Sequence, residues 1–264
     1  MRFRELGSIS QGTDAHPNQD ISGWLNEFAW VFDGATMLRG GDRAQMVVVE
    51  LVRSYDNTIR SAIKAGETSL QVIMHQALGS AFAGLRDELG FDLPNASGHI
   101  CRLVGDQLHY LSLGDASLVV AGEGRLTVIS DPDYAEMEQL DMIAAAESGL
   151  TRAEIVHRHR LAMNTPDGYW IWSLNEATVE HAHSGSILVA PGDQVLLASD
   201  GLMRIVDMFH ALDHRGLVES IQQFGFAGVL NILRALEQGD PLCINFPRIK
   251  QMDDATGLLL KVEE

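Results

Sequence analysis

Apolar and polar positions along the chain change rhythm several times, and each change marks an element. Residues 2–10 predict a first strand with polar flanks. A polar stretch from Gly12 to Asp20, rich in turn formers, follows as a loop. Residues 21–25 and 28–32 predict two short strands separated only by Asn26-Glu27, the length of a tight hairpin turn. The second strand is a continuous apolar run that ends on Asp33-Gly34. Helical spacing then takes over. Met46, Val47, Val49, Leu51 and Ile59 give a broad stripe within a helix over residues 39–64. Thr68 is the N-cap of a second helix reaching about Leu89, carried by Leu70, Ile73, Met74, Ala77, Leu78, Ala81, Phe82 and Leu85.

Strands return over residues 98–104, 107–113, 116–121 and 126–130. Their connections are Gly105-Asp106, Gly114-Asp115 and Gly122-Glu123-Gly124. Links this short make a β-meander and favour an antiparallel sheet over alternating βαβ units. Asp131-Pro132-Asp133 opens a helical region, since proline suits a first helical turn, and another helix covers 152–160. Residues 169–173 and 179–183 read as strands. Residues 194–198 form a strongly apolar strand that ends on Ser199-Asp200-Gly201. Helices over 202–209, 217–224 and 227–237 precede Asp253-Asp254-Ala255-Thr256 and a last strand over 257–262. No repeat, low-complexity tract or linker divides the pattern, so residues 1–264 read as a single domain.

The pattern says the same thing twice: a buried strand, then Asp-Gly, at Asp33 and again at Asp200. Hairpin pairing brings entry to one strand beside exit from the next, so Asp20 and Asp33 share an edge. Asp253 also lies next to a strand. Carboxylates gathered this way repel one another unless a cation joins them. Oxygen-only ligation suits Mg²⁺ and Mn²⁺, and two such ions about 3.5–4 Å apart can activate a water and clamp a phosphoryl oxygen. A turn-capping role for a lone strand-end aspartate is the alternative.

Composition narrows the classes. The formal net charge of −17 argues against a nucleic-acid partner, because phosphate backbones are bound through clustered Lys and Arg. No apolar run is long enough for a membrane span, and the N-terminus lacks the apolar core of a signal peptide. Two distant cysteines, Cys101 and Cys243, make no disulfide framework, which fits a reducing cytoplasm.

Five motifs in order resemble those of the metal-dependent serine/threonine protein phosphatases of type 2C, in their bacterial form. They are Asn18-Gln19-Asp20, Val31-Phe32-Asp33-Gly34, Tyr110-Leu111-Ser112-Leu113-Gly114-Asp115, Ala198-Ser199-Asp200-Gly201-Leu202 and Asp253-Asp254-Ala255-Thr256. The resemblance implies an α+β fold, a four-layer αββα sandwich of two antiparallel sheets flanked by helix pairs. It implies two Mn²⁺ or Mg²⁺ ions, one held by Asp33, Asp200 and Asp253, the other by Asp20, Asp33 and the Gly34 carbonyl. Asp115 matches the position of a third, weaker ion, beside a variable flap within residues 131–168. The implied substrate is a phosphoserine or phosphothreonine protein, hydrolysed by a water bridging the two ions.

Three positions depart from the family pattern. Ala15 stands where bacterial members carry an arginine that grips the substrate phosphate, and His16, Arg39 and Arg43 are the candidates to replace it. Ala35 stands where some members have a histidine acid. Ser117 stands where Gly-Asp-Ser-Arg has its arginine. The missing grip leaves a second reading open, a catalytically weak phosphatase-like binding or regulatory module. A third reading, an aspartate-nucleophile phosphatase, needs a second Asp at Ala35 and fails there. The pairs His157/His159 and His181/His183 read as solvated polar faces, and one face of Tyr169-Trp170-Ile171-Trp172 reads as core.

Overall fold

The computed structural model describes residues 1–14, 16–37, 41–85, 93–134, 152–248 and 250–264. Ten strands form two antiparallel sheets of five. The first sheet runs β1 (Arg2–Gln11), β10 (Ala255–Glu263), β9 (Gln194–Ala198), β6 (Ser117–Gly122), β7 (Arg125–Ile129). The second runs β2 (Asp20–Leu25), β3 (Phe28–Gly34), β4 (Ala96–Val104), β5 (Gln107–Leu113), β8 (His183–Leu188). Helices α1 (Gly41–Lys64) and α2 (Leu70–Leu85) cover the second sheet. Helices α4 (Asp200–Asp207) and α5 (His214–Gly239) cover the first. A shorter helix, α3 (Arg152–Leu161), lies within the segment expected to form the flap.

Three apolar layers hold the four-layer sandwich together. The continuous apolar run of β3 shows how. Successive side chains of a strand point to opposite faces. Ala29 and Val31 therefore enter the layer between the sheets, with Cys101, Leu108, Leu118, Val195, Leu258 and Leu260. Phe28, Trp30 and Phe32 point the other way, against Tyr55, Ile59, Met74 and Leu78 of α1 and α2. A strand buried on both faces has no polar alternation to show, which is why this stretch reads as unbroken apolar sequence. On the far side, Val119, Leu196 and Leu259 pack on Ile205, Leu217, Val229 and Leu233. Trp30 is fully buried and donates its indole N–H to Asp56 at 3.0 Å, with the Arg60 guanidinium 4.8 Å above its ring. Truncating such a residue to alanine costs about 3–5 kcal/mol.

Most predicted elements are found, with four differences. The segment expected as a strand over 179–183 is instead a 3₁₀ turn, Glu176–His181, nucleated by Asn175, whose side chain accepts from the Ala177 amide. The strand lies just beyond it as β8, whose exposed, glycine-containing sequence carries no strong β signal and is held by antiparallel pairing with β5. Residues 169–173 make only isolated bridges, Ala96 to Trp172 and Met163 to Tyr169. The helices expected at 217–224 and 227–237 are one element, α5, bent at Gly225, where φ is +71°. His181 stacks on Trp170 with centroids 3.4 Å apart, while Trp172 is core and donates to the Gly98 carbonyl at 3.0 Å. The expected end of α2 at Leu89 falls outside the described residues.

Candidate metal centre

The two sheets deliver their carboxylates to the same end of the sandwich. Asp20 opens β2 and lies opposite Asp33 in the β2–β3 register. Asp200 follows β9 and Asp253 precedes β10, strands paired through Ala198 and Gly257. Asp115 lies in the link between β5 and β6, where the chain passes from the second sheet to the first. The two groups meet directly: the Asp200 amide donates to Asp33 Oδ2 at 3.2 Å. Asp33 thereby also caps the N-terminus of α4, where a negative charge is favoured.

Glycine makes this approach possible at two places. A Cβ at Gly34 would lie 2.6 Å from the Gln19 carbonyl oxygen, to which the Gly34 amide donates at 3.2 Å. A Cβ at Gly201 would overlap the Asp254 carbonyl oxygen. The second Asp-Gly pair thus lets the start of α4 press against the segment that carries Asp253 and Asp254.

The electrostatics are those of an anionic cluster that Arg204 and Lys250 compensate only at its Asp253 side. Burial pushes the Asp20 carboxyl up to about 7, helped by the charges of Asp254 and Asp200, while the Ser199 and Asp33 side chains act in the opposite direction. Burial, then Asp20, Asp200 and Asp115, hold Asp33 well above the ordinary carboxylate range. Asp200 is raised to about 6 by burial and then by Asp115 and Asp253, with Arg204 partly offsetting them. Asp20 Oδ2 is buried without a hydrogen-bond partner. An orphaned carboxylate oxygen facing other carboxylates is costly unless a cation completes it. The donors are all oxygen, the set that hard divalent ions prefer. The residues present therefore fit an Mg²⁺ or Mn²⁺ centre.

The remaining candidates are distributed unevenly. The His16 Nδ1 atom lies 3.0 Å from the Pro17 carbonyl and 3.7 Å from Asp254 Oδ2, and its Nε2 lies 3.5 Å from Thr36 Oγ1. That places the ring at the edge of the cluster. Arg43 is paired with Glu50 on the solvent side of α1 at 2.9 Å. Arg39, and Ala15 on which the weak-module reading rests, lie outside the described residues, as does much of the expected flap, residues 135–151. From the described part of the flap, Arg160 donates to the Thr36 carbonyl, three residues after Asp33.

Several residues at the centre have no counterpart among the sequence-derived candidates. Asp254 accepts from the Thr13 amide at 3.1 Å and the Gln19 amide at 2.8 Å, which fixes the loop that carries Asp20. Its only sequence signal is its place beside Asp253. Arg204 donates to Asp253 at 2.7 Å and Glu237 at 3.2 Å. Its spacing of four from Asp200 on a helix is the signal that could have found it. Lys250 donates to Asp253 at 2.7 Å. A separate group, Asp131, Asp133 and His183, places one possible ligand atom from each within 4.8 Å of the others. In it Asp131 caps the helical turn that follows, accepting from the amides of Asp133 and Tyr134, and also accepts from Gly114.

Comparison with curated proteins finds no match. Solved structures with the same fold are numerous. The serine/threonine phosphatase PstP/Ppp of Mycobacterium tuberculosis is 17% identical, with a TM-score of 0.61 and full coverage of both chains, 100% of each. The PstP catalytic domain in complex with two manganese ions gives the same identity and TM-score, with 100% of this chain and 99% of that one covered. PppA of Pseudomonas aeruginosa, described as a regulatory component of the type VI secretion system, is 20% identical with a TM-score of 0.57, over 99% of this chain and 98% of that one. At these identities the likeness is one of fold. The family model of protein phosphatase 2C matches residues 10–231, which contain Asp20, Asp33, Asp115 and Asp200, and the chain belongs to that family.

Proposed function

We propose that the chain is a metal-dependent phosphatase that hydrolyses phosphomonoesters, with phosphoserine or phosphothreonine in proteins as the substrate class. The observation that carries this reading is the orphaned Asp20 oxygen within a cluster of carboxylates drawn from both sheets. In this reading Asp20, Asp33 and the Gly34 carbonyl hold one ion, Asp33, Asp200 and Asp253 hold the other, and Asp115 borders a weaker third position. Bound there, Mn²⁺ or Mg²⁺ supplies a water acidic enough to attack at neutral pH and positive charge for the phosphoryl oxygens.

The chain's own groups do the rest. Asp33 would serve both ion positions, since it sits one residue from the end of β3 and accepts from the amide of Asp200. Asp254 fixes the loop bearing Asp20. His16, at the rim between Asp254 and Thr36, is the candidate we favour for contacting a substrate phosphate, with Arg39 and Arg43 as the other candidates. Ligands drawn from position 20 to position 253 make residues 1–264 one catalytic domain in this reading. Manganese in the PstP structure and the serine/threonine specificity named for PstP support the choice of ion and substrate class. The substrate we propose is a cytoplasmic phosphoprotein; among the described residues no helix is long and apolar enough to cross a membrane.

The test is hydrolysis of p-nitrophenyl phosphate and of a phosphothreonine peptide by purified protein with and without Mn²⁺. Turnover should require the ion, and Asp33→Asn and Asp200→Asn should abolish it. Equal activity in wild type and both variants would refute the reading.

A further inference from the structure

Asp253 is held by two cations. Arg204 Nη2 lies 2.7 Å from its Oδ2 and Lys250 Nζ 2.7 Å from its Oδ1. Oδ1 also accepts from the Asp254 amide at 3.1 Å. A carboxylate oxygen offers about two lone-pair directions, so both directions of Oδ1 are in use. A divalent ion that takes Oδ1 must take the place of the lysine.

The two cations are not equally tied. The Arg204 side chain is only 8% exposed and its other nitrogen is bound to Glu237, which is itself held by Arg234. Arg234 also donates to the Asp253 carbonyl at 2.9 Å. Arg204 is thus part of the frame. Lys250 is 33% exposed on its side chain and donates only to Asp253 among the hydrogen bonds of the described residues. A compact ammonium on a flexible stem is the kind of cation that can leave.

We propose that Lys250 is a built-in counter-cation of Asp253 that competes with a divalent ion for Oδ1, so that it sets the affinity of the Asp33–Asp200–Asp253 position below that of the Asp20–Asp33 position. This rests on the metal-centre reading above. Two cations on one oxygen repel, and the divalent ion wins only by its larger charge and its further ligands. Ion uptake at this position releases the Lys250 side chain toward solvent. Arg204 stays and keeps the carboxylate aimed.

The experiment is calorimetric titration of Mn²⁺ into chelator-stripped, full-length protein. Wild type should show one tighter and one weaker site. Lys250→Met should tighten the weaker site by about tenfold, while Lys250→Arg, which keeps the charge, should leave it within about threefold. Circular dichroism checks that each variant folds, and Lys250→Gln serves the same test if the methionine variant does not. A second readout is the melting temperature: the Mn²⁺-induced rise should be larger in Lys250→Met than in wild type. Unchanged or weaker binding in both uncharged variants overturns the proposal. Asp253→Asn separates the two levels. If it removes the weaker site while the lysine variants change nothing, only the counter-cation role fails. If it and Asp33→Asn leave both sites intact, the metal-centre reading fails and the proposal falls with it.

Discussion

Asp20 and Asp240 are both buried aspartates, and their surroundings are opposites. Asp240 ends α5 and is wrapped by donors. The amides of Ile244, Asn245 and Phe246 point at its oxygens, at 2.9, 3.3 and 3.0 Å, and Arg248 binds it at 2.8 Å. Burial alone would raise its carboxyl, but these hydrogen bonds outweigh burial and hold it down at about 2. Asp20 meets burial and other carboxylates, keeps one oxygen without a partner, and rises to about 7. The first aspartate is satisfied by the fold and organises the loop of residues 240–248. The second is left unsatisfied by the fold, which is what a site for a missing cation looks like. Counting buried aspartates would not separate them; counting their donors does.

The comparison can be broken most severely at Gly201. Gly201→Ala forces a Cβ into the Asp254 carbonyl, and the expected outcome is loss of several kcal/mol of stability, about 3 or more, read by denaturant unfolding, together with loss of activity. Next comes Asp33→Asn. If the cluster is unsatisfied for the sake of function, this variant loses phosphatase turnover by about a thousandfold or more yet folds normally by circular dichroism.

On the satisfied side, Arg248→Met leaves Asp240 without its buried partner. The expected fall in melting temperature is about 5 °C or more, with Mn²⁺ binding retained. The pH dependence then distinguishes the two aspartates by sign. In the unfolded chain both ionise near 3.8. Asp20 in the fold keeps its proton up to about 7, so the folded state binds more protons across that window and stability falls as pH rises through it. In chelator, Asp20→Asn should therefore melt at least about 2 °C above wild type at pH 7 and converge with it near pH 4. Asp240 contributes stability that is fully present above 3.8 and is lost as pH falls toward 2. The smallest effect is expected at Arg43→Ala, because its pairing with Glu50 is solvent-exposed. Stability should change by less than about 0.5 kcal/mol, and a marked rise in KM for a phosphopeptide would show that Arg43 also serves the substrate.

Much of this was legible in the sequence because it is local. Strand-then-Asp-Gly at Asp33 and Asp200, the tight hairpins β4–β5 and β6–β7, and the stripes of α1 and α2 each depend on neighbours along the chain, whereas the single meander expected over 98–130 is divided between the two sheets at Gly114-Asp115, because a short turn does not say which sheet the next strand joins. What was not legible depends on partners far away. Strand β8 has little β propensity of its own and exists because β5 offers an edge. Arg204 and Asp254 acquire their roles from groups up to 241 positions distant, as in the bond from the Thr13 amide to Asp254, while Lys250 meets Asp253 only three residues on, in a loop that has no periodicity to show it. Periodicity carries no trace of such pairings. The bend in α5 lies between these cases: Gly225 is visible, but only packing decides whether the helix stops there or turns and continues.

The β2–β3 turn has a consequence far from where it sits. Asn26-Glu27 joins Leu25 to Phe28, with Asn26 in the left-handed region at φ +56°. The same register that starts there runs six pairs along and finishes by setting Asp20 opposite Asp33. At about 3.3 Å per residue the turn lies on the order of 17 Å from the carboxylates. Because strand side chains alternate, one residue added to the turn would carry every later pair out of step and turn one aspartate away from the other. The hairpin therefore behaves as a ruler whose zero mark is the turn: a surface dipeptide that touches nothing in the acidic centre gauges whether the centre exists.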